Sequence, residues 1–507
     1  MRPFSSRTAT LALVGSLTPT GCGSSTGQSI YNPVPHSAAA GGGAGRDSGT
    51  AREGGTGRDG ASGVYPGGPP TQLSAGPSSI SGVTSNGWAV FRAADVLRAV
   101  KIAVDPVIQD ITESPGNVLI RGKAVFNWAN VDWTANVGDL SVWTADAGTH
   151  HIGPTMYSEG LVAASEQGAT IVYTANAQKE TMDLMIAPSD LSRPKVLIEA
   201  MGRGSEATCG ASIGFVGERL FVGWCAAGSR TGKIERFESV AGQWASTLIA
   251  EDSLPTWSAD ASGDRVFYQS SGYSGYFAEN GETRVIDAGV STGFMLPDGS
   301  AALYTVGDQL RRTTLPDVNP LSIVTRGYAQ PAEFSTRFDI ALYSTTVTYT
   351  DGTRRDLRIT RTDVFNPAPT ELVSDPVAGL PRSSLTKDGQ FVLYLTDMTP
   401  SGATLHVRSV DGTERVILPN VVDAVAAHDG TVVFTDGSSD PNQYPIVADL
   451  KSLNLASGEN PTLIEAKIVE GRNFQLDATG NRVVYVRSGI DRVASIEREG
   501  LFFQAIP

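Results

Sequence analysis

"LTKDGQFVLYLTD" (385–397) is the stretch on which the fold turns. It opens on Asp388-Gly389, a dipeptide that tolerates the positive φ angles of a tight hairpin and so joins one strand to the next. In the strand that follows, Phe391, Leu393 and Leu395 point one way, while Val392 and Tyr394 point the other. A strand apolar on both faces has to be covered on both faces. Further on, "TLHVRSV" (404–410) alternates Leu405 and Val407 with Thr404, His406 and Arg408, which suits a third strand nearer a rim. A second turn, Asp411-Gly412, leads to "ERVIL" (414–418) as an outer strand. Two turns and four strands, in about forty residues, make one unit.

The unit repeats. Its nearest copies are "PDGSAALYTVGD" (297–308), "HDGTVVFTDGS" (428–438) and "ATGNRVVYVRS" (478–488), followed by "ASGDRVFYQSS" (261–271) and "EQGATIVYTAN" (166–176). Weaker ones are "VGERLFVGW" (216–224), "SNGWAVFRA" (85–93) and "IRGKAVFNW" (120–128). In "TRFDIALYS" (336–344) the glycine is lost, and Arg337 fills the one double gap in the spacing. The anchoring glycines are Gly87, Gly122, Gly168, Gly217, Gly263, Gly299, Gly389, Gly430 and Gly480. A period of roughly 35 to 50 residues with four short strands per unit predicts an all-β chain folded as a β-propeller of four-stranded blades. Ten candidates can be counted, but common propellers hold about four to eight blades. The expectation is therefore one ring of about eight blades, with a range of seven to ten, spanning 80–507. "AADVLRAVKIAV" (93–104) is the one helix-like run, and its place after "GWAVF" makes strands the better reading.

"LPDGSAALYTV" and "LTKDGQFVLYLTDMTPSGATLHVRSVDGTERVIL" resemble the WD40-like propeller repeats of the TolB type found in bacterial envelope proteins. That family pairs a Pro-Asp-Gly turn with an apolar strand ending in Tyr or Phe, then a strand and a second Asp-Gly turn. The resemblance covers most of 80–507 and is specific in about four units. It implies a periplasmic or surface-facing ring that works through protein contacts. The extra units and the long Gly-rich segment depart from the soluble family member, so its partners do not carry over.

The N-terminal region gives an address. Arg2 and Arg7 precede the short apolar run "TLALVGSL" (10–17), the order of an export signal over 1–21. "LTPTGCGSS" resembles the lipobox of bacterial lipoproteins, with Gly21 before Cys22, although Pro19 stands where that family usually has Leu. The resemblance implies lipidation of Cys22 and an envelope location, facing the periplasm or the cell surface; ordinary cleavage and secretion is the alternative. Residues 22–79 are rich in Gly, Ser and Pro and carry too little apolar surface to offset the entropy of ordering, so they are expected to be a flexible tether. Cys209 and Cys225 lie within reach of a structural disulfide in an exported chain, the alternative being two buried thiols. A net charge of −14 argues against a nucleic-acid partner, which would call for clustered Lys and Arg. No apolar run reaches the roughly 18 to 20 residues of a membrane span, so a lipid anchor is the expected membrane attachment.

Catalytic signals are thin. "GASIG" (210–214) and "GVSTG" (289–293) spell G-x-S-x-G, but Ser212 and Ser291 fall in β repeats with no following helix to build a nucleophile elbow. The five histidines are His36, His150, His151, His406 and His428. The adjacent pair sits in a strand-like run where neighbours face opposite ways, and no spacing assembles the three or four ligands of a zinc site. No metal and no cofactor are expected. Trp128, Trp133 and Trp143 cluster in "NWANVDWTANVGDLSVW"; the first and last read as blade packing, and Trp133, near turn-like residues, as exposed. "SSGYSGYF" (270–277) reads as an exposed loop carrying Tyr273 and Tyr276. These three aromatics are the candidate recognition residues. The leading reading is a monomeric, non-enzymatic envelope scaffold that binds a protein or peptide. A carbohydrate-binding surface protein and a lyase or hydrolase working in the channel are the alternatives.

Overall fold

A computed structural model describes residues 70–506, apart from 77, 158–160, 179, 204–209, 325–327, 336, 338, 350–351, 365–366, 368, 375–382, 387, 400–401, 428–429, 438–446, 458–459, 478 and 488–499. The expected signal, Cys22, His36, Cys209, His428 and most of the expected tether lie outside the described residues.

The stretch 385–397 behaves as its pattern requires. Ser383–Leu385 pairs with Phe391–Thr399, which pairs with Gly402–Ser409, which pairs with the first part of Glu414–Ala426, all antiparallel. Val392 and Tyr394 pack with Leu342, Leu357 and Leu372 of the preceding unit. Leu393 and Leu395 pack with Val432, Phe434 and Leu453 of the following one. One strand thus belongs to two cores. The turn differs in detail from a two-residue hairpin with both φ angles positive. Only Gly389 takes a positive φ, 71°, and the Asp388 carboxylate instead accepts from the Gln390 N–H (3.0 Å) and the Thr386 hydroxyl (2.6 Å). Thr386 Oγ1 in turn accepts from the Phe391 N–H at 3.0 Å.

The same unit recurs around the chain. Among the described residues, thirty-seven strands form five four-stranded sheets, one of seven strands and one of ten. Three long strands, Gln243–Ala259, Glu414–Ala426 and Thr462–Leu476, each end one unit and begin the next. Divided at these bends, the sheets resolve into ten four-stranded units, numbered here 1 to 10 in chain order from Ser78. All ten candidate segments of the sequence hold the first turn of a unit, the degenerate one in unit 7 included. Ten is the top of the expected range rather than its centre, because the weakly spelled segments fold as full units. The nine anchoring glycines all take positive φ, between 53° and 76°. The 93–104 segment holds no helix: Ala93 ends the strand Trp88–Ala93, a turn at 94–95 follows, and Val96–Lys101 is the next strand.

Ten hydrophobic clusters fill the ten junctions between successive units, including the one between unit 10 and unit 1. That last junction closes a ring. The final sheet takes Thr71–Ala75 as its outermost strand, antiparallel to Gly500–Ala505, with Leu73 buried against Leu501 and Phe503. Asn473 Oδ1 accepts from the Ile80 N–H (2.9 Å), and Arg482 Nη1 donates to the Ile102 carbonyl (3.3 Å). The folded part therefore begins inside the segment expected as tether. "TQLSA" spells weakly because an outermost strand has one covered face, and Leu73 alone serves it.

First strands of successive units lie against one another, which places them innermost. They are half-buried where the second strands are fully buried, as the walls of a channel would be. Each unit's first and third turns emerge on one face of the ring (the lower face), and its second turn and the link to the next unit on the opposite, upper face.

Candidate functional site

The expected recognition residues divide on inspection. Trp133 lies in the second turn of unit 2, between Ala124–Asp132 and Val137–Thr144, on the upper face. The turn is built from its own side chains: Asp132 Oδ1 accepts from the N–H groups of Thr134 (2.8 Å) and Ala135 (3.2 Å), a local arrangement Asp favours. Asn136 takes a φ of 53°, and its carbonyl accepts from the Tyr157 N–H at 2.9 Å. From the end of unit 3, Arg203 donates to the carbonyls of Ala135 (2.7 Å) and Gln178 (2.5 Å). On this pinned turn the Trp133 side chain is 68% exposed. Its ring meets Tyr157 edge to face at 5.4 Å, and Tyr157 meets the buried Trp128 the same way at 5.5 Å. Trp128 is anchored by its Nε1–H to Thr155 Oγ1 at 3.1 Å. An aromatic ladder thus runs from the core to one exposed indole. Such a group offers large contact area at small entropic cost, because its support is already fixed.

Tyr273 occupies the equivalent second turn of unit 5, on the same face but three units away around the ring. It is 58% exposed with a φ of 59°, a left-handed conformation that a non-glycine residue adopts only when held there. The hold is visible. Its N–H donates to the Ser270 carbonyl (3.0 Å), its carbonyl accepts from the Val290 N–H (2.7 Å), and the Ser271 N–H donates to the Asp252 carbonyl (3.1 Å). Tyr276 is a strand residue within Gly275–Glu279, half-buried and stacked on its cross-strand partner Tyr268 at 5.3 Å and 12°. The exposed loop is shorter than "SSGYSGYF" suggested, and Tyr276 is part of the sheet.

The remaining residues singled out by the sequence have structural surroundings. Trp128 and Trp143 are buried, and Trp143 meets Trp88 edge to face at 5.5 Å. Ser212 begins the inner strand of unit 4 and donates to the Pro255 carbonyl; Ser291 Oγ shares a hydrogen bond with Thr305 Oγ1 at 2.7 Å. His150 and His151 lie in the outer strand of unit 2 and have different neighbours, the Ala147 carbonyl and Ser141 Oγ. His406 stacks on Tyr394 at 4.9 Å and 4°, with Glu414 at 2.8 Å from Nδ1 and Thr396 Oγ1 at 2.9 Å from Nε2. Cys225 is buried at the end of the second strand of unit 4. Among the described residues no three His, Cys, Asp or Glu side chains group to hold a metal ion.

The electrostatics follow the architecture. The Ser409 hydroxyl and the Thr413 N–H hold the Asp411 carboxyl down at about 2. His406 is the first cause holding Glu414 low; Arg219 does the same for Asp264, and Arg361 for Asp363. Burial pushes the Tyr343 and Tyr394 phenols up to about 12. These groups stand in turns and at junctions between units. Among the described residues the inner strands carry few charges, such as Arg121, Glu333, Asp423 and Arg472, which lie in different units.

No protein-family model matches the chain, and no curated protein is similar to it. Solved structures are similar at low identity. A eukaryotic initiation factor aligns at 10% identity and a TM-score of 0.47 over 69% of this chain and 90% of its own. TolB from Acinetobacter baumannii aligns at 14% identity and 0.28 over 56% and 77%. The dihydro-heme d1 dehydrogenase NirN aligns at 13% and 0.38 over 78% and 80%. The β-propeller rests on the strand order and the ten junctions themselves.

Proposed function

We propose that this chain is a non-enzymatic scaffold of the bacterial cell envelope, anchored through a lipidated Cys22, that binds a protein or peptide on its upper face. The observation that carries the reading is Trp133: an exposed indole on a turn held by Asp132, Arg203 and the Tyr157 N–H, supported by Tyr157 and Trp128. Natural interfaces concentrate binding energy in aromatic anchors of this kind. Tyr273 on the same face is a second, separate contact point. The tether and the address come from the sequence, as does the pairing of Cys209 with Cys225, which an oxidising compartment would allow.

The test is a crosslinked pull-down of the tagged protein from intact envelopes, run beside Trp133→Ala. A reproducible protein partner, lost in the variant, supports the scaffold. Recovery of glycans alone favours the carbohydrate reading, which an exposed indole also suits. Turnover of a substrate by the purified ring, unaffected by Trp133→Ala, would overturn both in favour of a channel-site lyase or hydrolase. Mass spectrometry of the mature N-terminus reads the state of Cys22, and a non-reducing peptide map reads the cysteine pairing.

A further inference from the structure

Most exposed aliphatic residues of this ring stand alone on outer strands, as Val196, Val285, Leu321 and Ile417 do. The third turn of unit 1 is different. Within "AVDPVI" (103–108) Val104 is 79% exposed, Val107 56% and Ile108 46%, so three bare aliphatic side chains fall within five residues. The base of the turn is clamped. The Lys101 N–H donates to the Val107 carbonyl (3.0 Å), the Ile102 N–H to the Gly87 carbonyl (3.1 Å), and Arg482 of unit 10 reaches the Ile102 carbonyl. The turn therefore projects from the lower face as a fixed apolar finger with Asp105 within it.

Its neighbour says what it meets. The outermost strand of unit 10, Thr71–Ala75, runs from the lower face to the upper, because its far end turns directly into the inner strand of unit 1. Thr71 therefore stands at the lower face at the rim, in the unit next to the finger. Forty-eight residues separate Cys22 from Thr71. For a Gly/Ser-rich segment that length corresponds to an average reach of about 40 Å, so an anchored ring stays close to the lipid surface.

We propose that the 103–108 turn is a lipid-contacting finger, which docks the lower face of the ring on the bilayer and turns the face bearing Trp133 and Tyr273 away from it. The inference rests on the anchored reading. A tether alone leaves the ring free to tumble; a second contact at its own exit edge gives it an orientation. Asp105 and the net charge of −14 suit a zwitterionic surface rather than an anionic one.

The test is flotation of the full Cys22→Ser chain with phosphatidylcholine vesicles, beside the same chain carrying Val104→Asp, or Val285→Asp as a rim control. All three are checked by near-ultraviolet circular dichroism. Val104→Asp is expected to lower vesicle partition about tenfold, as loss of one buried aliphatic contact implies, with Val285→Asp unchanged. Equal flotation of Val104→Asp and its parent, or no flotation of either, overturns the proposal. So does a Val104→Asp effect on self-association alone, which would assign the finger to a second copy. An acylated Cys22 with no Val104→Asp effect removes the finger and leaves the anchor; an unmodified Cys22 with the effect intact does the reverse.

Discussion

Truncating the two faces of the strand 391–399 one at a time measures whether it belongs to two cores. Leu393 is 3% exposed toward unit 9 and Val392 fully buried toward unit 7. Leu→Ala in such a site costs about 2–5 kcal/mol, the transfer of the lost methylenes plus the cavity left behind. Val392→Ala removes two methyl groups at about 0.8 kcal/mol each, and the cavity raises that to roughly 2 kcal/mol. Ile417→Ala on the outer strand of the same unit, 53% exposed, stays within about 0.5 kcal/mol. Differential scanning calorimetry reads the costs, and the size of the shift reports cooperativity. At about 2.1 cal/mol/K per residue, a ring of some 430 residues melting together loses about 0.9 kcal/mol of stability per degree. A 3 kcal/mol loss then lowers its Tm by only about 3 °C. If a pair of units of about 80 residues melted alone, the same loss would shift that transition by nearly 20 °C. An inexpensive Val392→Ala beside a costly Leu393→Ala would mean that one face of the strand is not covered, and the propeller reading would fall.

The closing strand, the turns, the latches and the indole each give a further expectation. A Cβ on Gly500 would stand 2.2 Å from the Ser74 carbonyl, so Gly500→Ala should displace Thr71–Ala75 and raise amide exchange in 71–75 and 500–505 well before global unfolding. Asp411 is held below its unfolded pKa, so its contribution is complete above about pH 4 and fades as pH falls through about 2; a carboxyl titration by NMR checks the midpoint, and Asp411→Asn removes that part of the acid sensitivity. Arg265 bonds Glu279 at 2.8 Å and reaches into unit 6 to the Gly299 carbonyl at 2.7 Å, so Arg265→Ala should cost about 1–2 kcal/mol in thermal or urea unfolding, and Arg265→Lys should not restore it, lacking the forked donor. Trp133→Ala should leave Tm within about 1 °C while abolishing partner capture, since its side chain is mostly in solvent.

Much of the ring was legible because its physics is local. A positive-φ glycine followed by an apolar strand is written in nine of the ten units, and in unit 7 the strand survives without the glycine. The count was less legible: the expected range of seven to ten holds the ten units, while the general preference of propellers for about eight blades drew its centre lower. A further regularity surrounds the turn glycine. Three residues before the glycine stands Thr84, Ser165, Asp260, Thr386 or Asp477, and in each case the side-chain oxygen accepts from backbone N–H groups beyond the turn. Two residues after the glycine stands Arg219, Arg265 or Arg482, each reaching the next unit around the ring. Asp260-x-x-Gly263-x-Arg265 and Asp477-x-x-Gly480-x-Arg482 carry both halves, turn cap plus latch, whereas in "VGERLFVGW" Gly214 stands at the cap position and Arg219 alone joins the neighbour.

The site was harder to read than the ring for a physical reason. A tryptophan in a strand and a tryptophan in a turn have the same neighbours in composition, and what separated Trp133 from Trp128 and Trp143 was the Asp132-Trp133-Thr134-Ala135 turn. Asp132 could be seen as a turn former; Arg203 and Tyr157, which complete the support, come from other parts of the chain and have no signature beside Trp133. Tyr276 failed for the converse reason, since a Gly/Ser-rich run hid a strand whose cross-strand partner Tyr268 lay eight residues back. The exposed groups follow from ring topology more than from local spelling. Second turns must emerge on the face opposite the glycine turns, so Trp133 and Tyr273 share a face because each lies between the second and third strands of its unit. By the same rule the apolar third turn of unit 1 and the entry of Thr71–Ala75 share the other face. A ring closed by its own N-terminal strand therefore presents its exposed aromatics on the side away from the point where the chain enters, whatever ligand those aromatics take.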